Sequence, residues 1–257
     1  MQLYPIPTFN DEKKFYDENL QEKNINDVSS IKRARRKMMP DNTRRAELVS
    51  KIITKRSRIL EIGSGHGFFL DIMKKNGYNV TGFEISKEKR KYSKKVTKVP
   101  VLDININEKI PTVKPFDIVV LFHTLEHIID PVILLKNIKK LLKPKGKVLV
   151  EVPNCDDFHL GLNKFYKEFY WERAHIHYFN SKSLKTVINL GGFKGIKITG
   201  VQRYSIENFF HWRLKNKPQM ENPTYSLSGK LNWLDESYKK YLERNLICDT
   251  LISIANI

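Results

Sequence analysis

The chain has 257 residues, 40% of them apolar, and a formal net charge of +18. That length buries a core without covalent staples, and Cys155 and Cys248, far apart and outside any C-x-x-C spacing, read as free thiols in a reducing cytosol. No N-terminal apolar run resembles a signal peptide, and the longest apolar region, 118–135, is broken by His123, Glu126, His127 and Asp130. The expectation is therefore a cytoplasmic chain with no transmembrane segment.

In chain order, Tyr4-Pro5-Ile6-Pro7 is extended, and Asn10 caps a short helix through Phe15, Tyr16 and Leu20. A basic helix over 31–39 ends at Pro40. Asp41 or Asn42 then caps a second helix through Ala46, Leu48, Val49, Ile52 and Ile53. A short apolar strand from Arg58 stops at Gly63-Ser64-Gly65-His66-Gly67. Residues 68–76 have helical spacing, with Gly77 at the C-cap, and a second strand over 80–85 ends on Glu84. A helix over 87–95 and a third strand over 99–102 follow. Residues 116–122 are near-continuously apolar, as a strand covered on both faces must be. A helix over 131–142 precedes a fifth strand over 147–152. An aromatic segment, 156–171, then leads to Ala174-His175-Ile176-His177-Tyr178-Phe179. Asn180 or Ser181 caps a helix that Gly191-Gly192 stops, and a sixth strand spans 194–201. Two helical patterns, 208–214 and 227–246, flank a polar stretch, 215–225, and the last strand spans 249–254.

Strand, glycine loop, helix and strand make half of a nucleotide-binding βαβ unit, and Glu84 falls about 20 residues after the first glycine, where ribose recognition requires an acid. The third glycine of a dinucleotide fingerprint is replaced by Phe68, and no Lys-Ser or Lys-Thr makes a P-loop. Glu61 would repel a pyrophosphate but suits an ammonium group. Adenosine at one end and a charged amino acid at the other describe S-adenosylmethionine.

At these residues the chain resembles class I S-adenosylmethionine-dependent methyltransferases over roughly 55–200. Leu102-Asp103-Ile104 resembles the family's adenine-contacting acid, His123-Thr124-Leu125-Glu126-His127 its turn after the fourth strand, and Leu142-Lys143-Pro144-Lys145-Gly146 its loop into the fifth. The resemblance implies an α/β, Rossmann-like, doubly wound sheet, mostly parallel with an antiparallel last strand. It also implies an N-terminal helical cap (1–54) lying across the cofactor, and a methyltransferase domain (55–257) carrying a helical insertion (205–247). Cofactor contacts would come from Glu61, Gly63, Ser64, Gly65, Gly67, Glu84, Ile85, Asp103, Ile104, Phe122 and His123.

The segment from Ala174 resembles methyltransferases of bacterial surface-glycan and sugar biosynthesis. Some of these are C-methyltransferases with a Glu-His pair at this motif. Here Ala174 stands at the Glu position, and their Cys-rich zinc-binding part is missing, which points to O-methylation. A hydroxyl is a poor nucleophile, so a base helps. His175 is the expected base, with Glu172 to orient or replace it. His127 reads as a packed turn residue, with a catalytic role as the alternative. Arg203, Tyr204, His177 and Tyr178 are candidates for the acceptor, a small molecule or glycan that is anionic or nucleotide-linked. Asp117 and Glu126 alone make no carboxylate cluster, so no metal is expected.

Eleven basic residues lie between Lys32 and Arg58, against Asp41 and Glu47. They read either as a footprint for an anionic partner such as RNA or as solvated helix faces. An RNA methyltransferase is thus the alternative function. Against it, Phe122-His123-Thr124-Leu125 lacks the Asn/Asp-Pro-Pro-aromatic turn used on flipped bases, and there is no Pro-Cys nucleophile.

Overall fold

The computed structural model describes residues 28–171, 174–218 and 231–257. The helix capped by Asn10, Glu172 and most of the polar stretch before residue 231 lie outside the described residues. Seven strands form one sheet in the order β3-β2-β1-β4-β5-β7-β6. They are β1 (Arg58–Ile62), β2 (Asn79–Phe83), β3 (Val101–Leu102), β4 (Phe116–Phe122), β5 (Leu142–Pro153), β6 (Lys194–Val201) and β7 (Thr250–Asn256). The pairs from β3 through β5 are parallel, and β7 runs antiparallel between β5 and β6. The expected fold is therefore the observed one.

Period-two alternation builds a core on each face of the sheet. Leu60, Val119 and Leu121 pack on one side with Leu134, Ile138 and Phe193. Ile59, Ile118 and Val120 pack on the other with Val49, Phe69 and Met73. The first core takes helices α4 (Pro131–Leu141) and α6 (Ser181–Leu190), and the second takes α1 (Val28–Ile52) and α2 (Phe68–Lys75). Helix α3 (Lys87–Thr97) joins β2 to β3, and α5 (Lys164–Tyr170) lies in the aromatic segment. Helices α7 (Ile206–Lys215) and α8 (Asn232–Arg244) fall between β6 and β7.

Several boundaries moved. Strand β5 starts five residues before the expected Lys147, and β3 keeps only two residues. The main correction is Pro40, which ends no helix but sits inside the continuous α1. Proline removes the N–H owed to the carbonyl four residues back, yet tertiary contacts on both sides hold the helix together. Arg35 pairs with Asp71 of α2 on one side of the proline, while Arg45, Ala46 and Val49 are buried on the other. Asn42 Nδ2 also donates to Met38 O at 3.0 Å, reinforcing the turn around the proline.

Chain order reverses between β1 and β4, and doubly wound sheets bind ligands at the carboxyl ends of the strands at such a point. The glycine loop follows β1 and the turn from His123 to His127 follows β4, so both motifs meet at this edge.

Candidate active site

The glycine loop is shaped by two backbone requirements. Gly63 has φ +70°, and a Cβ there would meet Thr124 Oγ1 at 2.5 Å. Gly65 has φ +54° and faces open space, so a ligand can approach the bare backbone. Glu84 braces the loop, accepting from Gly65 N at 2.7 Å and from Ser86 N at 2.9 Å. A carboxylate has about four lone-pair sites, so it can still receive the ribose hydroxyls. Glu61 is buried and its Oε2 has no partner among the described residues. Burial raises its pKa well above the usual range, against the pull of the Arg45 charge. A cationic ligand group would satisfy that oxygen. The open glycine, the orphaned carboxylate and Glu84 together fit S-adenosylmethionine.

Other expected cofactor residues are placed differently. Ser64 turns into the fold, its N–H on Phe83 O and its Oγ close to where a Cβ on Gly82 would stand. Ile85 is exposed, Asp103 is exposed and paired with Arg90 at 2.6 Å, and Ile104 packs at the edge of the core.

The centre of the edge is a charge network that sequence reasoning missed. Glu151, wholly buried near the end of β5, receives Arg44 Nη2 at 3.0 Å and Arg45 Nη2 at 2.6 Å from α1. Arg45 also lies 4.7 Å from the centre of the Phe122 ring. These arginines, read from sequence either as a footprint for an anionic partner or as solvated helix faces, are spent on an internal carboxylate. The available signal was Glu151 itself, an acid in the otherwise apolar run 148–152 of β5. His123, with φ +49°, donates its N–H to Glu151 O. Arg203 Nη1 lies 2.8 Å from His123 Nε2. Arginine only donates, so Nε2 carries the lone pair and Nδ1–H faces Glu126 Oε1, 3.3 Å away. Arg203 also reaches Tyr204 Oη at 2.8 Å.

The third group of residues joins two loops. The amides of Ile176 and His177 donate to Glu126 O at 2.9 and 3.0 Å, and His177 Nε2 bonds Ile129 O at 3.2 Å. His127 Nδ1 donates to Ala174 O at 2.7 Å. The segment after β5 is thus stitched onto the turn after β4, which brings His175 to His127 with ring centres 5.0 Å apart. One donor atom from each of Glu126, His127 and His175 lies within 4.8 Å of the other two. The Glu126 side chain is 1% exposed, and beyond the 3.3 Å approach of His123 Nδ1 to Oε1 it has no hydrogen-bond partner among the described residues. Burial pushes its pKa up, but His123, His127 and His175 more than reverse this and keep it ionised. His175 goes the other way: burial, opposed by the Glu126 charge and aided by His127 and His123, lowers it to about 4, so it is neutral near pH 7, and its Nδ1 has no partner. Tyr178 is buried against Trp171, Tyr170 and His175. Asp117, weighed from sequence beside Glu126, lies at the opposite end of β4 and holds Arg58 N and Lys143.

Residues 31–198, well over half the chain, match the family model described as a methyltransferase domain. The chain belongs to that family. The methyltransferase is 24% identical over 180 residues to the ubiquinone biosynthesis O-methyltransferase of Coxiella burnetii, covering 62% of this chain and 73% of the relative. Its fold is similar to the plantazolicin methyltransferase BpumL in complex with SAH, with TM-score 0.62 and 15% identity over 95% of this chain and 93% of that one. It is also similar to a SAM-dependent methyltransferase from Archaeoglobus fulgidus, with TM-score 0.52 and 22% identity over 79% and 86% of the two chains. The protein is an S-adenosylmethionine-dependent methyltransferase. In the methyltransferase, Glu84→Ala should weaken cofactor binding about ten- to hundredfold, from loss of charged hydrogen bonds of about 1.5–3 kcal/mol. Calorimetry showing unchanged affinity would contradict the assignment of Glu84 to the ribose.

Proposed function

We propose that this methyltransferase transfers the methyl group to a hydroxyl of a sugar or glycan acceptor. The observation that carries the reading is the Glu126–His127–His175 cluster, where a neutral imidazole with an unpartnered nitrogen lies beside a buried carboxylate. Bound S-adenosylmethionine supplies an electrophilic methyl group. The chain's own residues must orient the hydroxyl and take its proton, a role that this reading gives to His175. The name of the Coxiella burnetii relative, an O-methyltransferase, favours oxygen as the methylated atom. Tyr204, 45% exposed and held beside Arg203, offers a ring for stacking on a sugar, with the guanidinium beside it for an anionic or nucleotide-linked group.

The deciding experiment is turnover with labelled cofactor against sugars, nucleotide-sugars and glycans, with simple phenols as the competing class. Methylation of the sugar set supports the reading, and methylation of phenols alone overturns it. Arg35, Arg44 and Arg45 face internal carboxylates, which weighs against RNA as the acceptor. With a mixed tRNA pool we expect weak binding that falls steeply with salt and no label in RNA. Label recovered in RNA would reverse the order of the two functions.

A further inference from the structure

We infer that Glu126, His127 and His175 form a binding site for a divalent cation of the transition type, best matched by Zn²⁺, at the carboxyl end of β4. The inference rests on the O-methylation reading and deepens it: His175 is the proton acceptor in the metal-free chain and a ligand when the ion is bound. The three donor atoms already lie within 4.8 Å of one another, on two loops that backbone hydrogen bonds lock together. Around an ion with bonds of ~2.1 Å, neighbouring ligand atoms stand ~3–4 Å apart, so the cluster need contract by only about an ångström.

Three features separate this cluster from an ordinary polar turn. Glu126 is buried with Oε2 unpartnered and only His123 Nδ1, 3.3 Å away, facing Oε1, a costly state for a carboxylate unless a further positive charge compensates it. His127 has its Nδ1–H committed to Ala174 O at 2.7 Å, leaving Nε2 as the free nitrogen. That is the outer hydrogen bond by which metal-binding histidines are oriented. His175 Nδ1 is also unpartnered. Two imidazoles and one carboxylate select zinc or a similar ion over magnesium, which prefers oxygen ligands. Three protein ligands leave a position open, and an acceptor hydroxyl there would be acidified as a metal-bound water is. The hydroxyl proton leaves to solvent. The new O–C bond then forms as the C–S bond of the cofactor breaks, its electron pair going to sulfur.

The test is titration of the metal-stripped full chain with Co²⁺, read by visible absorption, followed by displacement with Zn²⁺. No acceptor is present, so the result does not depend on the sugar reading. One equivalent should bind. Outer hydrogen bonds to metal ligands are worth ~10–100-fold in affinity, so loss of a ligand in His175→Ala or Glu126→Gln should weaken binding more than about a hundredfold. Glu126→Gln keeps the side-chain shape, and circular dichroism establishes that each variant is folded. Absence of binding by the wild-type chain at millimolar Co²⁺ overturns the inference, as does binding unchanged in both folded variants. If the ion binds and no sugar is methylated, the metal site stands and the acceptor assignment falls.

Discussion

Replacing His175 by alanine is expected to leave S-adenosylmethionine affinity unchanged and to cut acceptor turnover by about 10²–10⁴-fold, the usual worth of a positioned proton-transfer group. The separation of the two effects follows from position. The glycine loop, Glu61 and Glu84 belong to the edges of β1 and β2, whereas His175 rides on the segment after β5 and meets the turn after β4. Its removal leaves the backbone bonds from Ile176 and His177 to Glu126 O in place, so the loop keeps its anchor. The measurement is kcat with a turned-over acceptor alongside calorimetric cofactor affinity. Near-normal kcat in a folded His175→Ala protein would remove this residue from the chemistry. Lost cofactor affinity would instead make it part of the cofactor site.

Glu151→Ala should lower stability by about 3–5 kcal/mol, because it leaves the buried Arg45 and the half-buried Arg44 without their shared carboxylate. For a chain of this size that corresponds to a fall in Tm of about 6–20 °C. Cofactor binding should weaken in the same variant, since α1 reaches the glycine-loop edge through Arg45, whose charge also bears on Glu61. The pH dependence has a definite sign. Burial pushes the Glu151 carboxyl up, but the Arg45 guanidinium, through its charge and its hydrogen bond, holds it far below the usual range. A carboxylate depressed by folding contributes its full stabilisation above the unfolded value of 4.5 and loses it as pH falls towards the folded one. The wild-type melting temperature should therefore drop with acidification below about pH 4.5 more steeply than that of Glu151→Ala. Parallel acid profiles for the two proteins would show that the network contributes no net stability.

The parallel sheet, the glycine loop and the cofactor were legible in the sequence because each has a local signature. Near-continuous apolar runs mark strands buried on both faces, and the spacing of Gly63, Gly65, Gly67 and Glu84 is set by a single βαβ unit. Pro40 was misread because its cost is also local, while the contacts that outweigh it come from Asp71 and Glu151, distant in the chain. The charge of the arginines was evident, but its direction was not. Whether a guanidinium faces solvent or a carboxylate of β5 depends on where α1 lands on the sheet. The same holds for the cluster at the edge of β4. Glu126 and His127 are neighbours in sequence, but His175 joins them only because the segment after β5 folds back and is pinned by main-chain bonds, which carry no side-chain signature. Only the tertiary structure could show that Glu126 lies buried with Oε2 unpartnered and that burial moves His175 to about 4. Burial and partner distance are properties of the packed chain, and they decide which groups of a correctly recognised motif can do chemistry.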